Sequence, residues 1–424
     1  MRSRRAQCSG RSRRAQGLGL RARLLLLAAL SPLPLALSGC GHPAPSAKPA
    51  AQNLLLVTID TLRADHVGAY GYARSQASFV DLMAQSGATF DRAYAAAPIT
   101  LPSHATLMTG RYPPGHGSRD NGMHVSRTVP TLATELKAHG FKTAAFVAAF
   151  PLDHQFGLDR GFDVYSDRLP RGPDGKQANE RPASQVVNEA IAWISAGGMG
   201  RIGGKGRTDA SPPALPAAPA PPAPRFFLWI HVFEPHAPYG DAGDRRPVLD
   251  RYDQEIGVAN RELMRLLNAI DSVAQSTLVV VAGDHGEAFG EHGEFSHSIF
   301  VYDTTLRVPL VMRGPGIGGN AERRTPNAER RTPNGERRTT NVVISDPVTL
   351  ADVAPTAMRL LGFTMPDADG IDLSPALAGG TLPRREIYAE SFAPLMEFGW
   401  APLRAIRSGP WKFIAAPKPE LFDV

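Results

Sequence analysis

Residues 53–60 read NLLLVTID, an apolar run that ends in an aspartate. A short run of this kind is typical of a strand buried on both faces, as in a parallel sheet covered by helices. Comparable runs lie at 142–150, 226–233, 278–282 and 308–312, and stretches of helical periodicity separate several of them. This alternation predicts an α/β fold with a mainly parallel sheet.

Helical segments are indicated by apolar spacing and by end signals. Phe79, Leu82 and Met83 have helical spacing, and a helix is predicted to begin at Pro130 and to stop near Gly140. Residues 256–270 and 350–361 also favour helices, and 386–389 favours an edge strand. Loops at the carboxyl ends of parallel strands are where open α/β sheets bind ligands, so polar residues at those ends are candidate site residues.

Polar residues follow three of the predicted strands. Asp60 closes the first strand, Asp284 and His285 follow the fourth, and His236 lies just beyond the third. Each has a simpler explanation when taken alone, since Asp is common in turns and His236 lies between two prolines. Together they place two carboxylates and two imidazoles at one sheet edge, which is the donor set of a divalent metal site.

The stretch TLPSH at 100–104 supplies a possible nucleophile. Thr100 precedes a predicted helix, whose first turn favours an anion, and Ser103 is expected to cap that helix. A threonine hydroxyl is a weak nucleophile near neutral pH unless a metal ion deprotonates it. The alternative is that Thr100 only begins a helix.

The net charge does not indicate a nucleic-acid partner. The formal charge is +6, but residues 1–39 hold eight arginines and no acidic residue. The remaining residues have 38 basic against 40 acidic side chains, a net −2. Binding to nucleic acid, which clustered positive charge would favour, is therefore not expected.

Residues 1–39 have the features of a secretory signal: a basic start, an apolar run at 24–37 and small residues before Cys40. The sequence Leu37-Ser-Gly-Cys40 resembles the lipobox of bacterial lipoproteins, which implies a lipid anchor at Cys40 and a tether at 40–52. The alternative is an ordinary cleaved signal with an incidental cysteine. The expected location is the bacterial cell envelope, lipid-anchored, on its periplasmic or extracellular face.

Two segments interrupt the α/β pattern. Residues 210–224 are rich in proline and alanine, and 320–340 repeat a seven-residue arginine-rich unit three times. The first is predicted to be an extended surface loop or linker, because its prolines cannot keep a helix or a central strand. The second has almost no apolar residues and is predicted to be a solvated surface loop, the alternative being a basic binding patch. The expected organisation is a catalytic domain at 53–375 with insertions at 197–224 and 319–341, and a small carboxyl-terminal subdomain at 376–424.

Four ordered motifs resemble those of the sulfatase branch of the alkaline phosphatase superfamily. They are VTIDTLRADHVGAYGY at 57–72, APITLPSHATLMTGRYPPGHG at 97–117, AGDHGEAFGEHGEFSH at 282–297 and YDTTLRVPLVMRGPG at 302–316. The resemblance implies a central mixed sheet and a smaller carboxyl-terminal sheet. It also implies that Asp60, Asp284 and His285 bind a metal ion and that Thr100 occupies the nucleophile position.

The sequence departs from the sulfatase pattern at several positions. Thr100 cannot become the formylglycine of true sulfatases, so none is expected; Thr61 stands in place of the usual second aspartate. His104 replaces an arginine and would either protonate the leaving oxygen or fill the vacated space. His236 and His297 are similar to histidines of phosphoethanolamine transferases and lipoteichoic acid synthases, which contact the phosphoryl group or a second metal ion.

These features predict a metal-dependent hydrolase that cleaves a phosphate or sulfate ester through Thr100. Zn²⁺ or Mn²⁺ is favoured over Ca²⁺ or Mg²⁺, and a second ion could lie at His236 and His297. The expected substrate is a small-molecule, glycan or lipid ester, and the sequence does not define an oligomeric state. The alternatives are a transferase of phospho-substituted headgroups and a non-catalytic binding lipoprotein on the same scaffold.

Overall fold

A computed structural model describes residues 51–74, 78–172, 174–199, 225–241, 243–317 and 341–424. The predicted signal segment, Cys40, most of the tether and most of both insertions lie outside these residues. Within them, none of the helices combines the length and apolarity needed to cross a bilayer.

The strands fall into three sheets. In chain order they are β1 Asn53–Ile59, β2 Ala88–Phe90, β3 Ala93–Tyr94, β4 Lys142–Phe146, β5 Val164–Ser166, β6 Phe226–Val232, β7 Thr277–Gly283, β8 Arg307–Val308, β9 Leu310–Arg313, β10 Val342–Ile344, β11 Val348–Thr349, β12 Glu386–Ser391, β13 Leu403–Ser408, β14 Trp411–Ala415 and β15 Glu420–Asp423. The main sheet has eight strands in the order β10-β2-β9-β7-β1-β6-β4-β5. Strands β11, β3 and β8 form a small sheet.

Strand β1 lies inside the main sheet, parallel to β6 on one side and to β7 on the other. All seven of its residues are buried. Strand β9 is antiparallel to both of its neighbours, and the other described pairings in this sheet are parallel. The predicted mixed, mostly parallel α/β sheet is therefore confirmed.

Helices cover both faces of this sheet. They are α1 Phe79–Gln85, α2 Thr100–Thr109, α3 Pro113–His116, α4 Leu132–Ala138, α5 Ala183–Trp193, α6 Val248–Ala269, α7 Asp303–Leu306, α8 Val353–Leu360, α9 Ser374–Leu377 and α10 Ala393–Phe398. Alternate residues of β1 enter different cores, because side chains point to opposite faces along a strand. Leu54 and Leu56 pack with α2, α4 and α8, whereas Leu55 and Val57 pack with α1, α5 and α6.

Some predicted boundaries were wrong. Strand β4 ends at Phe146 rather than at 150, and a 3-10 turn follows at Phe150–Leu152. The run at 308–312 divides at Pro309 into β8 and β9, which belong to different sheets. The helix expected from Pro130 begins at Leu132, because the Thr131 side chain caps it by accepting from the Thr134 N–H.

The carboxyl-terminal subdomain is a four-stranded antiparallel sheet in the order β12-β13-β14-β15. Strand β12 is an edge strand of that sheet, as predicted. Partly buried ion pairs join the subdomain to the main body, since Arg407 and Lys412 both donate to Asp303 on α7.

The segment at 369–370 fixes the far end of helix α2. The N–H groups of Asp369 and Gly370 both donate to the carbonyl of Gly110, which ends that helix with φ 69°. A Cβ on Gly370 would lie 2.0 Å from the carbonyl oxygen of Ala351, so glycine is required at this close approach. The position of the residue that begins α2, Thr100, therefore depends in part on this contact.

We predict that Gly370→Ala lowers the free energy of unfolding by about 3 kcal/mol, because backbone atoms must move to admit the methyl group. The control is Gly257→Ala, in the middle of α6, where the nearest atom to an added Cβ is a side-chain nitrogen of Arg261 at 3.7 Å. That change should stabilise the protein by about 0.5–1 kcal/mol. Urea unfolding measures both, and equal stabilities of the two variants would contradict the packing argument.

Candidate active site

The register of three parallel strands brings two carboxylates together. Ile59 lies opposite Val232 of β6 and Gly283 of β7, so the next residues along β1 and β7, Asp60 and Asp284, are neighbours at the carboxyl edge of the sheet. The backbone N–H of Asp60 donates to the Val232 carbonyl, and that of Asp284 to the Ile59 carbonyl. The sheet itself therefore positions both acids, as the sequence predicted.

Both carboxylates are fully buried, and their oxygens are incompletely paired. Asp284 Oδ1 accepts from the N–H groups of Thr61 (3.1 Å) and His285 (2.7 Å). Among the described residues, no hydrogen bond reaches Asp284 Oδ2 or either carboxylate oxygen of Asp60. Buried oxygens of this kind are costly unless a cation satisfies them, so this donor set fits a metal ion.

Electrostatics separates the two acids. Burial and the neighbouring charge of Asp60 raise the pKa of Asp284 well above its ordinary value. Burial would also raise the pKa of Asp60, but His231, His236 and His285 outweigh it and hold that pKa below its ordinary value. Without a cation, the pair therefore favours one negative charge, on Asp60.

His285 offers a third donor atom. Its Nδ1 lies 2.9 Å from the Gly286 carbonyl, which can only accept, so Nδ1 carries the proton and the lone pair is on Nε2. That Nε2 is 3.5 Å from both Asp60 Oδ1 and Asp284 Oδ2. Burial lowers the pKa of His285 well below its ordinary value, so the ring is neutral, as a ligand must be. Ligand atoms of Asp60, Asp284 and His285 all lie within 4.8 Å of one another.

Thr100 is the first residue of helix α2 and lies beside this group of donors. Its Oγ1 is 3.4 Å from His285 Nε2, and the residue is 3% exposed. The expected cap at Ser103 was wrong, because Ser103 lies inside the first turns of α2 and its hydroxyl donates to the Asp284 carbonyl at 2.5 Å. Ser103 thus ties the helix that begins with Thr100 to the strand end that carries Asp284.

His104 is completely buried behind Thr100. Its Nδ1 donates to the Thr100 carbonyl at 2.8 Å, and its Nε2 lies 2.9 Å from the hydroxyl of Thr58. Burial lowers the pKa of His104 to about 3, so the ring is neutral near neutral pH. His104 was expected either to protonate the leaving oxygen or to fill the space of the family's arginine. Because both of its nitrogens already have hydrogen-bond partners, the geometry favours the second role, in which His104 also holds Thr100 in place.

Thr61 occupies the position of the family's second aspartate without offering a metal ligand. It adopts φ 51°, which is rare for a β-branched residue. In that conformation its N–H reaches Asp284 and its hydroxyl donates to the Pro235 carbonyl at 3.1 Å. Thr61 therefore links the ends of β1 and β7 to the loop after β6.

His236 and His297 lie above the carboxylates, in a row with His285. The ring centroids are 4.5 Å apart for His285 and His297, and 5.1 Å apart for His297 and His236. The Nδ1 of His236 is 2.6 Å from the Ala237 carbonyl, which leaves Nε2 as the acceptor. The structure thus brings together every site residue that the sequence predicted.

Glu287, which sequence reasoning missed, orients His297. One carboxylate oxygen lies 3.2 Å from His297 Nδ1, and the other accepts from the Tyr239 hydroxyl at 2.7 Å. Burial would lower the pKa of His297, but Glu287 and Asp60 raise it above its ordinary value. Glu287 falls within the DHGE stretch, so its proximity to Asp284 and His285 in sequence was the available signal.

His231 was also missed. It lies in β6, with Nε2 3.4 Å from Asp60 Oδ2 and Nδ1 accepting from the Ala148 N–H at 3.3 Å. This tautomer directs an N–H toward Asp60, an arrangement that orients a ligating carboxylate. The signal was a single histidine inside the fully buried run FFLWIHV.

Two further groups of possible ligands lie in the described chain. One is His104, His231 and Asp284, which shares Asp284 with the group of Asp60 and His285, and the other is Asp153, His154 and Asp167. The nitrogens of His104 are already hydrogen-bonded, which disfavours the first of these groups. The other group lies at the surface, where the His154 side chain is 67% exposed and already bonded to Asp167. A surface cluster of this kind is common without a metal ion.

The model of the family described as Sulfatase matches residues 52–363. Among curated relatives, the choline-sulfatase of Rhizobium meliloti (strain 1021) is 24% identical, with 88% of this chain and 80% of that protein covered. The delta 4,5-hexuronate-2-O-sulfatase of Bacteroides thetaiotaomicron is 23% identical, with 88% and 82% covered.

Solved structures share the fold. The phosphonate monoester hydrolase of Agrobacterium radiobacter gives a TM-score of 0.63 at 20% identity, with 88% of this chain and 89% of that chain covered. A 2-O glycosaminoglycan sulfatase, BT1596, gives 0.64 at 19% identity, with 88% and 85% covered. The family match spans most of the chain, and the chain therefore belongs to the sulfatase family of ester hydrolases.

Proposed function

We propose that this protein hydrolyses a phosphate or sulfate ester, with Thr100 as the nucleophile and a divalent cation held by Asp60, Asp284 and His285. The observation that carries the proposal is the position of Thr100 Oγ1, 3.4 Å from His285 Nε2 and beside carboxylate oxygens that lack hydrogen bonds among the described residues.

The donor set supports Zn²⁺ or Mn²⁺ more than Ca²⁺, because an imidazole nitrogen accompanies the carboxylates. Such a cation supplies a positive charge that lowers the pKa of the Thr100 hydroxyl. Ca²⁺ and Mg²⁺ are the other possibilities, and His236 with His297 is the place for a second ion.

The chain's own residues then account for the steps. Thr100 Oγ1 gives its proton to solvent water and forms a bond to phosphorus or sulfur, while the bond to the leaving alcohol oxygen breaks and that oxygen takes a proton from solvent water. His104 and Ser103 hold the helix start, and therefore fix the position of this oxygen. Water then attacks the phosphorus or sulfur of the threonine ester, releasing phosphate or sulfate and restoring the hydroxyl.

Two histidines are placed to stabilise the oxygens on which negative charge develops. Glu287 raises the pKa of His297, so this histidine keeps its proton to a higher pH than an ordinary histidine does. His236 stacks on Phe233 with ring centroids 4.3 Å apart, which fixes its orientation. Donors aimed at developing charge contribute much of the rate enhancement in reactions of this kind.

Within this proposal, phosphoryl chemistry is favoured over sulfuryl chemistry. Sulfatases of this family use formylglycine, and threonine is not its precursor. The likeness to a phosphonate monoester hydrolase is compatible with this preference but shows the fold alone. We also propose that a lipid on Cys40 holds the enzyme on the bacterial envelope, which mass spectrometry of the protein recovered from membranes would test.

Our first prediction here concerns the buried acids. Asp284→Asn should raise the melting temperature in EDTA near neutral pH, because burial and Asp60 raise the pKa of Asp284, so folding without a metal ion must protonate this carboxyl, whereas an amide is already neutral and its oxygen keeps the bonds from Thr61 and His285. In the unmodified protein, Zn²⁺ or Mn²⁺ at about 100-fold its Kd should raise the melting temperature by roughly 5 °C or more. Asp284→Asn should abolish this metal-dependent rise.

The matched control is Asp167→Asn, in the exposed group with Asp153 and His154. It should leave the metal-dependent rise intact. Loss of the rise in Asp167→Asn together with its retention in Asp284→Asn would place the metal ion elsewhere.

Our second prediction concerns the nucleophile. Thr100→Ala should lower kcat by roughly 10³-fold or more on every ester that the protein cleaves, because no other hydroxyl occupies that position. Aryl phosphate monoesters, aryl phosphodiesters and aryl sulfates would be compared with Zn²⁺ or Mn²⁺ present, and phosphate esters should be cleaved faster.

Thr109→Ala is the control, since Thr109 is buried at the other end of the same helix and its hydroxyl donates to the Ala105 carbonyl. Its activity should match that of the unmodified protein. Turnover that Thr100→Ala leaves unchanged would exclude the mechanism, and sulfate release without phosphate release would reverse the chemical preference.

A further inference from the structure

Exposed apolar side chains are concentrated just after β12. Residues 395–400 are all exposed, and four of them are large and apolar: Leu395 (40% exposed), Met396 (58%), Phe398 (52%) and Trp400 (59%). The rings of Phe398 and Trp400 stack with centroids 4.8 Å apart. We refer to these four residues as the apolar rim.

Hydrogen bonds connect the base of this segment to loops that carry site residues. The Glu390 N–H donates to the Ala96 carbonyl, four residues before Thr100. The Ser391 hydroxyl donates to the carbonyl of Ser298, next to His297. The segment with the apolar rim therefore begins between the loop that precedes Thr100 and the loop that contains His297.

Contacts on the other side lead to the start of helix α2. Arg119 pairs with Glu390, and its guanidinium lies 3.7 Å from the centre of the Phe392 ring. Burial, helped by the charge of Glu397 within α10, raises the pKa of Asp120 to about 6. The adjacent Asn121 accepts from the Leu101 N–H at 2.9 Å. The residues that lead into the apolar rim, Glu390 to Phe392, are thus bonded to chain segments on both sides of the candidate site.

We infer that the apolar rim binds a hydrophobic organic group, alkyl or aryl, on the alcohol portion of the ester; this inference rests on the proposed function. Residues 393–400 read APLMEFGW, with Glu397 as their only charge and no basic residue. Such a segment disfavours an anionic membrane surface, which basic residues would bind. Two aliphatic side chains beside two aromatic ones favour a hydrophobic group over a polyhydroxylated sugar.

The test compares two esters that differ in apolar size and little in leaving-group acidity: phenyl phosphate and 4-butylphenyl phosphate, or the two sulfates if sulfate is the group released. We expect kcat/KM to be about 10-fold higher for the butyl compound in the unmodified protein. Trp400→Ser and Phe398→Ser should each bring that ratio toward one, through KM for the butyl compound and with kcat nearly unchanged.

Trp411→Ser is the matched control, because Trp411 is a 50% exposed tryptophan on β14 that does not belong to the apolar rim. Its ratio should equal that of the unmodified protein. An unchanged ratio in Trp400→Ser, or the same fall in Trp411→Ser, would overturn the inference. The inference would also be overturned if Trp400→Ser changed only the hydrolysis of sugar esters, only the binding of anionic vesicles or only the self-association of the protein.

Binding of 4-butylphenylphosphonate, which has no ester bond to cleave, separates this inference from the proposed function. Calorimetry should show weaker binding to Trp400→Ser than to Trp411→Ser. If no ester is turned over but this difference is found, the hydrolase proposal fails and the apolar rim remains a binding site. If esters are turned over without the difference, only the rim inference fails.

Discussion

Two carboxylates buried side by side at one sheet edge constrain this structure more than any other feature. The parallel pairing of β1 with β7 makes Asp60 and Asp284 neighbours, and neither is exposed. Such a pair is unfavourable unless positive charge is added, and no lysine or arginine of the described chain forms an ion pair with either acid. In the proposed function, a cation held by these acids would resolve this electrostatic problem and would lower the pKa of the Thr100 hydroxyl beside it.

The hydrogen bonds around this pair fix the orientation of the histidine side chains. His285 and His236 each place Nδ1 against a backbone carbonyl, and His297 places Nδ1 against Glu287, so all three leave Nε2 for a ligand or substrate. His104 holds the helix start without carrying charge. The departures from the sulfatase pattern thus have structural roles, and they are consistent with a site that relies on a metal-activated hydroxyl.

The sequence predicted the elements that depend on local pattern, and it missed contacts that depend on pairing. The buried run at 53–59 and the residues that follow each strand were sufficient to predict the sheet and its polar edge. Ser103 looked like a cap because its partner, the Asp284 carbonyl, is 181 residues away. His231 was missed because its significance comes from the register of β6 against β1, which no periodicity encodes.

The central claim is that Asp60, Asp284 and His285 hold one cation beside Thr100. The most direct measurement is anomalous diffraction from crystals grown with Zn²⁺ or Mn²⁺, recorded on both sides of the absorption edge of the metal. We expect an anomalous peak in contact with these three side chains and with the Thr100 hydroxyl. A metal-loaded crystal with no peak there, or with its only peak at the surface acids Asp153 and Asp167, would contradict this claim.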